Sequence, residues 1–217
     1  MAAVVDWLGR RWLALWLAGA TAYLAGALAA PLLAAGGAAP AAAVLYALYR
    51  PMCHQLPHHS WFLFGPHAHY TWPVLQPFTD APLAHPLRAL HQQVGDPSVG
   101  YQIAICQRDL ATFGALLAAS VVWAWARRRR PDPPPELPAA WYVAALVPIA
   151  VDGLTQLVGW RTSTPLLRTV TGALFGAATA LFVLPLVAAA MRPPGSDGPS
   201  PDGPPAAGPS PTTPQRE

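Results

Sequence analysis

The chain contains no lysine; its 13 basic side chains are all arginine. It is poor in charge of either sign. Charged residues make up 11% of its 217 positions and hydrophobic ones 53%, whereas a soluble domain carries about 25% charged residues. That deficit argues against a water-soluble globular protein and points to a bilayer as the solvent. No Ser-His-Asp order, His-Glu-x-x-His pair or phosphate loop occurs, so the familiar hydrolase and nucleotide-binding chemistries lack their residues. No internal repeat marks duplicated transporter halves. No apolar segment alternates with period two, which argues against a membrane β-barrel.

What is present is a set of long apolar runs. A spanning helix needs about 20 mainly apolar residues, and four segments provide them: about Trp12–Ala35, Ile103–Ala126, Ala139–Val158 and Pro165–Met191. Ala27-Leu28-Ala29 resembles a signal-peptidase site, but the first run is too long for a signal peptide's apolar core and reads as a retained anchor. The run Ala38–Tyr49 is too short to span and is expected as an interfacial helix. The expected fold is an all-α membrane protein, a four-transmembrane-helix bundle over residues 1–192. A long extracytoplasmic loop, residues 36–102, carries the short interfacial helix. Residues 131–138 read as a stiff proline-rich linker. Residues 193–217 are too rich in Pro, Gly and Ser to bury a core and are expected to form a disordered tail.

Arginine placement orients the bundle. Arg10 and Arg11 precede the first run, Arg127–Arg130 follow the second and Arg192 follows the fourth. With four crossings these positions share one side, which is therefore cytoplasmic. The expectation is a multi-pass protein of the cell (inner) membrane with both termini inside. The four-arginine run directly follows an apolar segment, so it is a membrane flank and nucleic acid is excluded as a partner. The bilayer is the partner implied, with a homo-oligomer as a further option.

Polar groups interrupt the apolar runs near one end. The second helix opens with Arg108 and Asp109. The third carries Asp152 and Gln156, which helical spacing puts on one face with Thr155 and Gly159. The fourth begins at Thr164, a suitable N-cap, with Pro165 at its first position. Arg168 then lies in the first turn, where the helix dipole disfavours a cation, so an anionic partner is expected. Charges at such depth mark function or an internal partner. The topology brings Cys53, His54, Cys106, Arg108, Asp109, Asp152, Gln156 and Arg168 to one level. Gly172 and Gly176 form a Gly-x-x-x-Gly step that admits close helix approach.

The stretches CHQLP, FLFG, YQIAICQRDLATFGA and DGLTQLVGWRTSTPLLRTVTGALFG resemble a family of small bacterial and archaeal membrane proteins, domain of unknown function 2085. The resemblance runs from about Tyr46 to Phe182. It implies a membrane fold and joint importance for Cys53, His54, Gln55, Cys106, Arg108, Asp152, Gln156, Arg161 and Arg168, and it supplies no reaction. Two departures from the family pattern stand out. About 35 residues, from Gly65 to Gly100, intervene where many members have a short link, and Asp109 stands where members often carry a third cysteine.

Thiols, imidazoles and a carboxylate make two chemistries available. Cys53, His54 and Cys106, with Asp109 as a harder ligand, could hold zinc or copper. Alternatively Cys53 and Cys106 form a disulfide on an oxidising face. His67 and His69 could chelate a metal, while His85 and His91 read as solvated loop residues. Three function classes follow. One is a binding protein whose outward-facing polar site takes a metal or a small anion through Arg108, Arg161 and Arg168. Another is a membrane enzyme using Asp109 or Asp152 with Arg168. The third is a transporter subunit in which the two acids relay ions, and this would need an oligomer.

Overall fold

A computed structural model describes residues 2–129, 134 and 136–191. The expected tail and half of the proline-rich linker lie outside the described residues. Four helices are long and apolar enough to cross a membrane: α1 (Ala2–Ala35), α4 (Gln107–Arg129), α5 (Ala139–Leu157) and α6 (Pro165–Ala190). Between α1 and α4 come α2 (Ala39–Tyr49), strand β1 (Ser60–Leu63), the single-turn α3 (Trp72–Leu75), β2 (Gly95–Asp96) and β3 (Gly100–Cys106). Pro31, Pro148 and Pro185 lie inside the long helices, as membrane helices tolerate.

The strands correct the all-α expectation. They form one antiparallel sheet in the order β1-β3-β2. Ile103–Cys106, expected as the first turn of the second membrane helix, is instead the end of β3, and the helix begins at Gln107. An apolar run of this length does not distinguish a buried strand from a buried helix. Here the β-branched isoleucines and the pairing of Cys106 with Ser60 across a register shift settle it as strand. Gly100, at φ +83°, makes the turn into β3, and Gly65 passes so close to the Val99 carbonyl that no side chain fits there.

The expected long loop is also more than a loop. Phe62, Tyr70, Trp72, Leu75, Ala81, Ala89, Val94 and Val99 pack into a small core of their own. The inserted segment thus folds as a cap over one end of the bundle. A second core joins α1, α2 and β3 through Ala27, Ala30, Ala42, Tyr46, Tyr49, Cys53, Ile103, Ala104 and Ile105. The hydroxyls of Tyr46 and Tyr49 donate to the Gln102 and Tyr23 carbonyls and tie α2 to β3 and α1.

Within the bundle α4 packs tightly on α6. A Cβ on Gly172 would lie 2.5 Å from the Arg108 carbonyl oxygen, and one on Gly176 would overlap the Thr112 carbonyl. This contact seats the first turns of α4 and α6 side by side. The backbone cannot yield as a flexible side chain would, so Gly176→Val should destabilise the protein by about 1–3 kcal/mol, the usual cost of overpacking. Thermal unfolding in detergent checks this. An unchanged midpoint would mean that the two helices are free to separate.

Candidate functional site

The polar residues gather where β3 becomes α4. Asp152 of α5 is 1% exposed and both its carboxylate oxygens are engaged. Arg108 Nη2 of α4 binds Oδ2, and Arg161 Nη2 reaches back from the α5–α6 turn to Oδ1 at 2.7 Å. Arg161 Nε also donates to Thr155 Oγ1 at 3.0 Å. Gln156 Nε2 donates to the Asp152 carbonyl at 2.8 Å and to Oδ2 at 3.3 Å. A lone buried carboxylate is costly, and two guanidinium partners with an amide satisfy it.

Arg168 departs from expectation. It is 3% exposed, yet no carboxylate lies within ion-pair distance of it among the described residues. Its partners are two amides, Gln156 Oε1 at 3.0 Å and Gln107 Oε1 at 3.3 Å. The Gly172 contact explains this, because it places the first turn of α6 against Gln107 rather than against Asp152. Thr164 caps α6 as expected, its hydroxyl accepting from the Leu167 N–H at 3.2 Å.

Asp109 belongs to a second group. Cys53 Sγ, Cys106 Sγ and an Asp109 carboxylate oxygen lie within 4.8 Å of one another. Both thiols are free. Two backbone N–H groups point at the sulfurs: Cys106 N–H donates to Cys53 Sγ at 3.2 Å and Asp109 N–H to Cys106 Sγ at 3.4 Å. Cys106 immediately precedes α4, whose N-terminal dipole favours negative charge there. Its hydrogen bond to Cys53, then burial, then the charges of Cys53 and Asp109, push the Cys106 thiol up. A divalent cation would offset that by replacing the proton.

A cavity of about 200 Å³ opens onto this group, lined by Cys53, Cys106, Asp109, Arg108, His59 and Gln55, with exposed His54 at its edge. His54 lines the cavity but is not in the cluster of three, where Asp109 stands instead. Gln55 is fully buried at φ +50°, a conformation rare outside glycine. Its Nε2 donates to the Tyr46 and Ala104 carbonyls, each at 2.9 Å, while its Oε1 has no partner among the described residues.

Sequence reasoning missed the amides that hold these pieces. Gln102 Nε2 donates to the Gln55 carbonyl at 2.9 Å and to Ser60 Oγ at 3.1 Å. Gln107 Nε2 donates to the Ser60 carbonyl at 3.1 Å while its Oε1 accepts from Arg168. Both glutamines are fully buried, and a polar side chain inside an apolar run was the signal available. His58 and His59 were also passed over. They sit in a half-buried pair, rings 4.1 Å apart. Burial, followed by the charge of Arg168, pushes His58 down to about 4. Burial first, then His58 and the arginines, pushes His59 to about 2. His67 and His69 are exposed and face Tyr70 and Trp61 respectively. His85 is exposed as expected, whereas His91 is half-buried and its N–H donates to the His54 carbonyl at 3.0 Å.

Four apolar helices under a folded cap define a multi-pass membrane protein. Residues 98–182 match the family described as "Predicted membrane protein (DUF2085)", so the resemblance seen in the sequence holds over that segment. An uncharacterised protein of Methanocaldococcus jannaschii, MJ1492, is 27% identical over 143 residues, which cover 65% of this chain and 67% of that protein. No solved structure matches. The matched segment contains Cys106, Arg108, Asp109, Asp152, Gln156, Arg161 and Arg168, while Cys53, His54 and Gln55 precede it.

Asp152→Asn removes the carboxylate from two guanidiniums. Breaking a buried pair costs about 3–5 kcal/mol, and because Arg108 and Arg161 are 23% and 37% exposed the loss should fall at the lower end. Asp109→Asn, which breaks no ion pair, should cost far less in the same thermal melts.

Acid should also destabilise the fold. The ordinary histidine value of 6.5 is lowered to about 4 and about 2 for His58 and His59. Their contribution is complete above pH 6.5 and is lost as protons bind the unfolded chain preferentially below it. The melting midpoint of a His58→Gln/His59→Gln variant should fall less between pH 6.5 and pH 4 than that of the parent.

Proposed function

We propose that this membrane protein is a binding protein with a metal centre at the capped end of its bundle, in which Cys53, Cys106 and Asp109 hold one transition metal ion. The observation that carries the reading is the meeting of three ligand atoms within 4.8 Å beside a cavity. Two thiolates and a carboxylate suit zinc, with Zn–S near about 2.3 Å and Zn–O near about 2.0–2.2 Å. Copper, which thiolates also select, is the other candidate. Closing the three donors onto one ion needs only small side-chain movements. The two N–H···S contacts and the start of α4 would stabilise the thiolates once the protons leave.

Three protein ligands leave a fourth position, the pattern of an open rather than a purely structural zinc site. The enzyme reading is then better placed at this ion than at Asp152, since both oxygens of Asp152 are committed to arginines. The transport reading gains no specific support. Arginine placement supports a cap on the non-cytoplasmic side of the inner membrane, with both termini inside. In such a compartment a Cys53–Cys106 disulfide is the competing chemistry, and it would use up both thiolates.

Elemental analysis and intact mass, measured together on protein purified in detergent without chelators, separate the two. The expected result is one zinc or copper per chain at the fully reduced mass, lost in Cys53→Ser and Cys106→Ser. A metal-free protein two hydrogens lighter than the reduced mass would overturn the proposal in favour of the disulfide.

A further inference from the structure

Arg108 carries donors that the protein leaves unused. Its Nη2 is engaged by Asp152, but neither Nε nor Nη1 has a hydrogen-bond partner among the described residues. Arg108 nevertheless lines the same cavity as Cys53, Cys106 and Asp109. A guanidinium has five donors; here the buried Nε–H has no partner, which is costly, and Nη1 is left for a ligand. Gln55 lines the cavity as well, anchored by both hydrogens of its Nε2.

Charge bookkeeping points the same way. Around the cavity and the network behind it stand three arginines, Arg108, Arg161 and Arg168. Against them stand two carboxylates, Asp109 and Asp152, and the two sulfurs. His58 and His59 are neutral at ordinary pH, since burial holds them at about 4 and about 2. A divalent cation on two thiolates and Asp109 leaves the whole assembly with a single positive charge, and one monoanion brings it to neutrality. The cavity, about 200 Å³, matches roughly six or seven waters at about 30 Å³ each. That is room for a small anion.

We infer that the cavity binds a small monoanionic carboxylate, which takes the open position of the metal and is held from the side by Nη1 of the Arg108 guanidinium. This rests on the metal reading above. A charge-assisted hydrogen bond from the guanidinium is one anchor, and a metal beside it supplies the second. Arg108, 23% exposed, and exposed His54 at the cavity leave the site reachable from outside.

The test uses the full chain in detergent, loaded with cobalt(II) in place of the native ion. Thiolate-to-cobalt charge-transfer bands report the metal, and the visible ligand-field bands report its fourth ligand. Acetate is the probe, and acetamide is its neutral counterpart of the same size. The expected result is a saturable change in the ligand-field bands with acetate and none with acetamide. In Arg108→Gln the charge-transfer bands should persist while the acetate affinity falls about tenfold or more, as removal of a charge-assisted hydrogen bond predicts. Absence of charge-transfer bands in the parent protein would overturn the metal reading itself. Charge-transfer bands with no response to acetate, or an equal response to acetamide, would overturn the carboxylate site alone and leave the metal standing. Should Arg108→Gln fail to fold, the acetate–acetamide comparison on the unsubstituted protein still decides. An acetate affinity unchanged in a folded Arg108→Gln would remove Arg108 from the site and reject the inference as stated.

Discussion

The buried carboxylate of Asp152 holds the site in register. It lies near the end of α5, and its two oxygens bind guanidiniums from α4 and from the α5–α6 turn. No single helix could satisfy it. A carboxylate in an apolar bundle costs several kcal/mol unless its partners are in place, so this one residue penalises any arrangement in which α4, α5 and the turn are not together. Gln156, one turn on, extends the constraint to α6 by donating to Asp152 and accepting from Arg168. The close α4–α6 contact at Gly172 and Gly176 then leaves Arg168 facing Gln107. Packing and charge thus specify the same geometry from two directions.

The strand-to-helix junction passes that geometry to the thiols. Four consecutive residues do different work there. Cys106 ends β3 opposite Ser60, Gln107 donates to the Ser60 carbonyl, Arg108 takes Asp152, and Asp109 turns toward the sulfurs. Because a helix separates successive side chains by about 100°, adjacent positions at its first turn face different neighbours. The consequence is that the ion network and the thiol cluster cannot shift independently. A change at Arg108 is felt at both, which is why a neutral-ligand control matters as much as a substitution in any study of this site.

Much of this arrangement was legible in the sequence, because charge in an apolar run is conspicuous. Asp152, Gln156, Arg168 and Arg108 stood out as costly residues at one end of the helices, Arg161 came from the family resemblance, and the structure does bring them together. Thr164 and the two glycines were legible from their local chemistry. The boundary of α4 was not, since Ile103-Ala104-Ile105-Cys106 is equally apolar as strand or as helix. Its state is decided by β1, more than 35 residues earlier in the chain. The cap was illegible for the same reason. Its core draws single residues such as Phe62, Trp72, Leu75 and Val94 from separate turns, and no periodicity links them. Gln156 was legible as a neighbour of Arg168, but Gln107, its other amide partner, escaped. A cation in the first turn of a helix calls for an electron-rich neighbour, but nothing in sequence says whether that neighbour is a carboxylate or a pair of amide oxygens.

That difference bears on what the site can do. Had Arg168 met a carboxylate, the network would be close to neutral without help. With amides instead, the arginines outnumber the acid that binds them, and the surplus lies beside two thiols and Asp109. An excess of positive charge lowers the cost of forming thiolates next to it, so the arginine network and the thiol cluster favour each other only when the thiols ionise. A disulfide carries no charge and gains nothing from that surplus. Two thiolates with a divalent cation leave the same net charge, but they place negative charge on the sulfurs, next to the N–H groups aimed at them. The N–H groups aimed at the sulfurs and the Asp109 carboxylate beside them, which suits a cation, therefore favour an anionic, metal-holding form of Cys53 and Cys106 over a neutral covalent one.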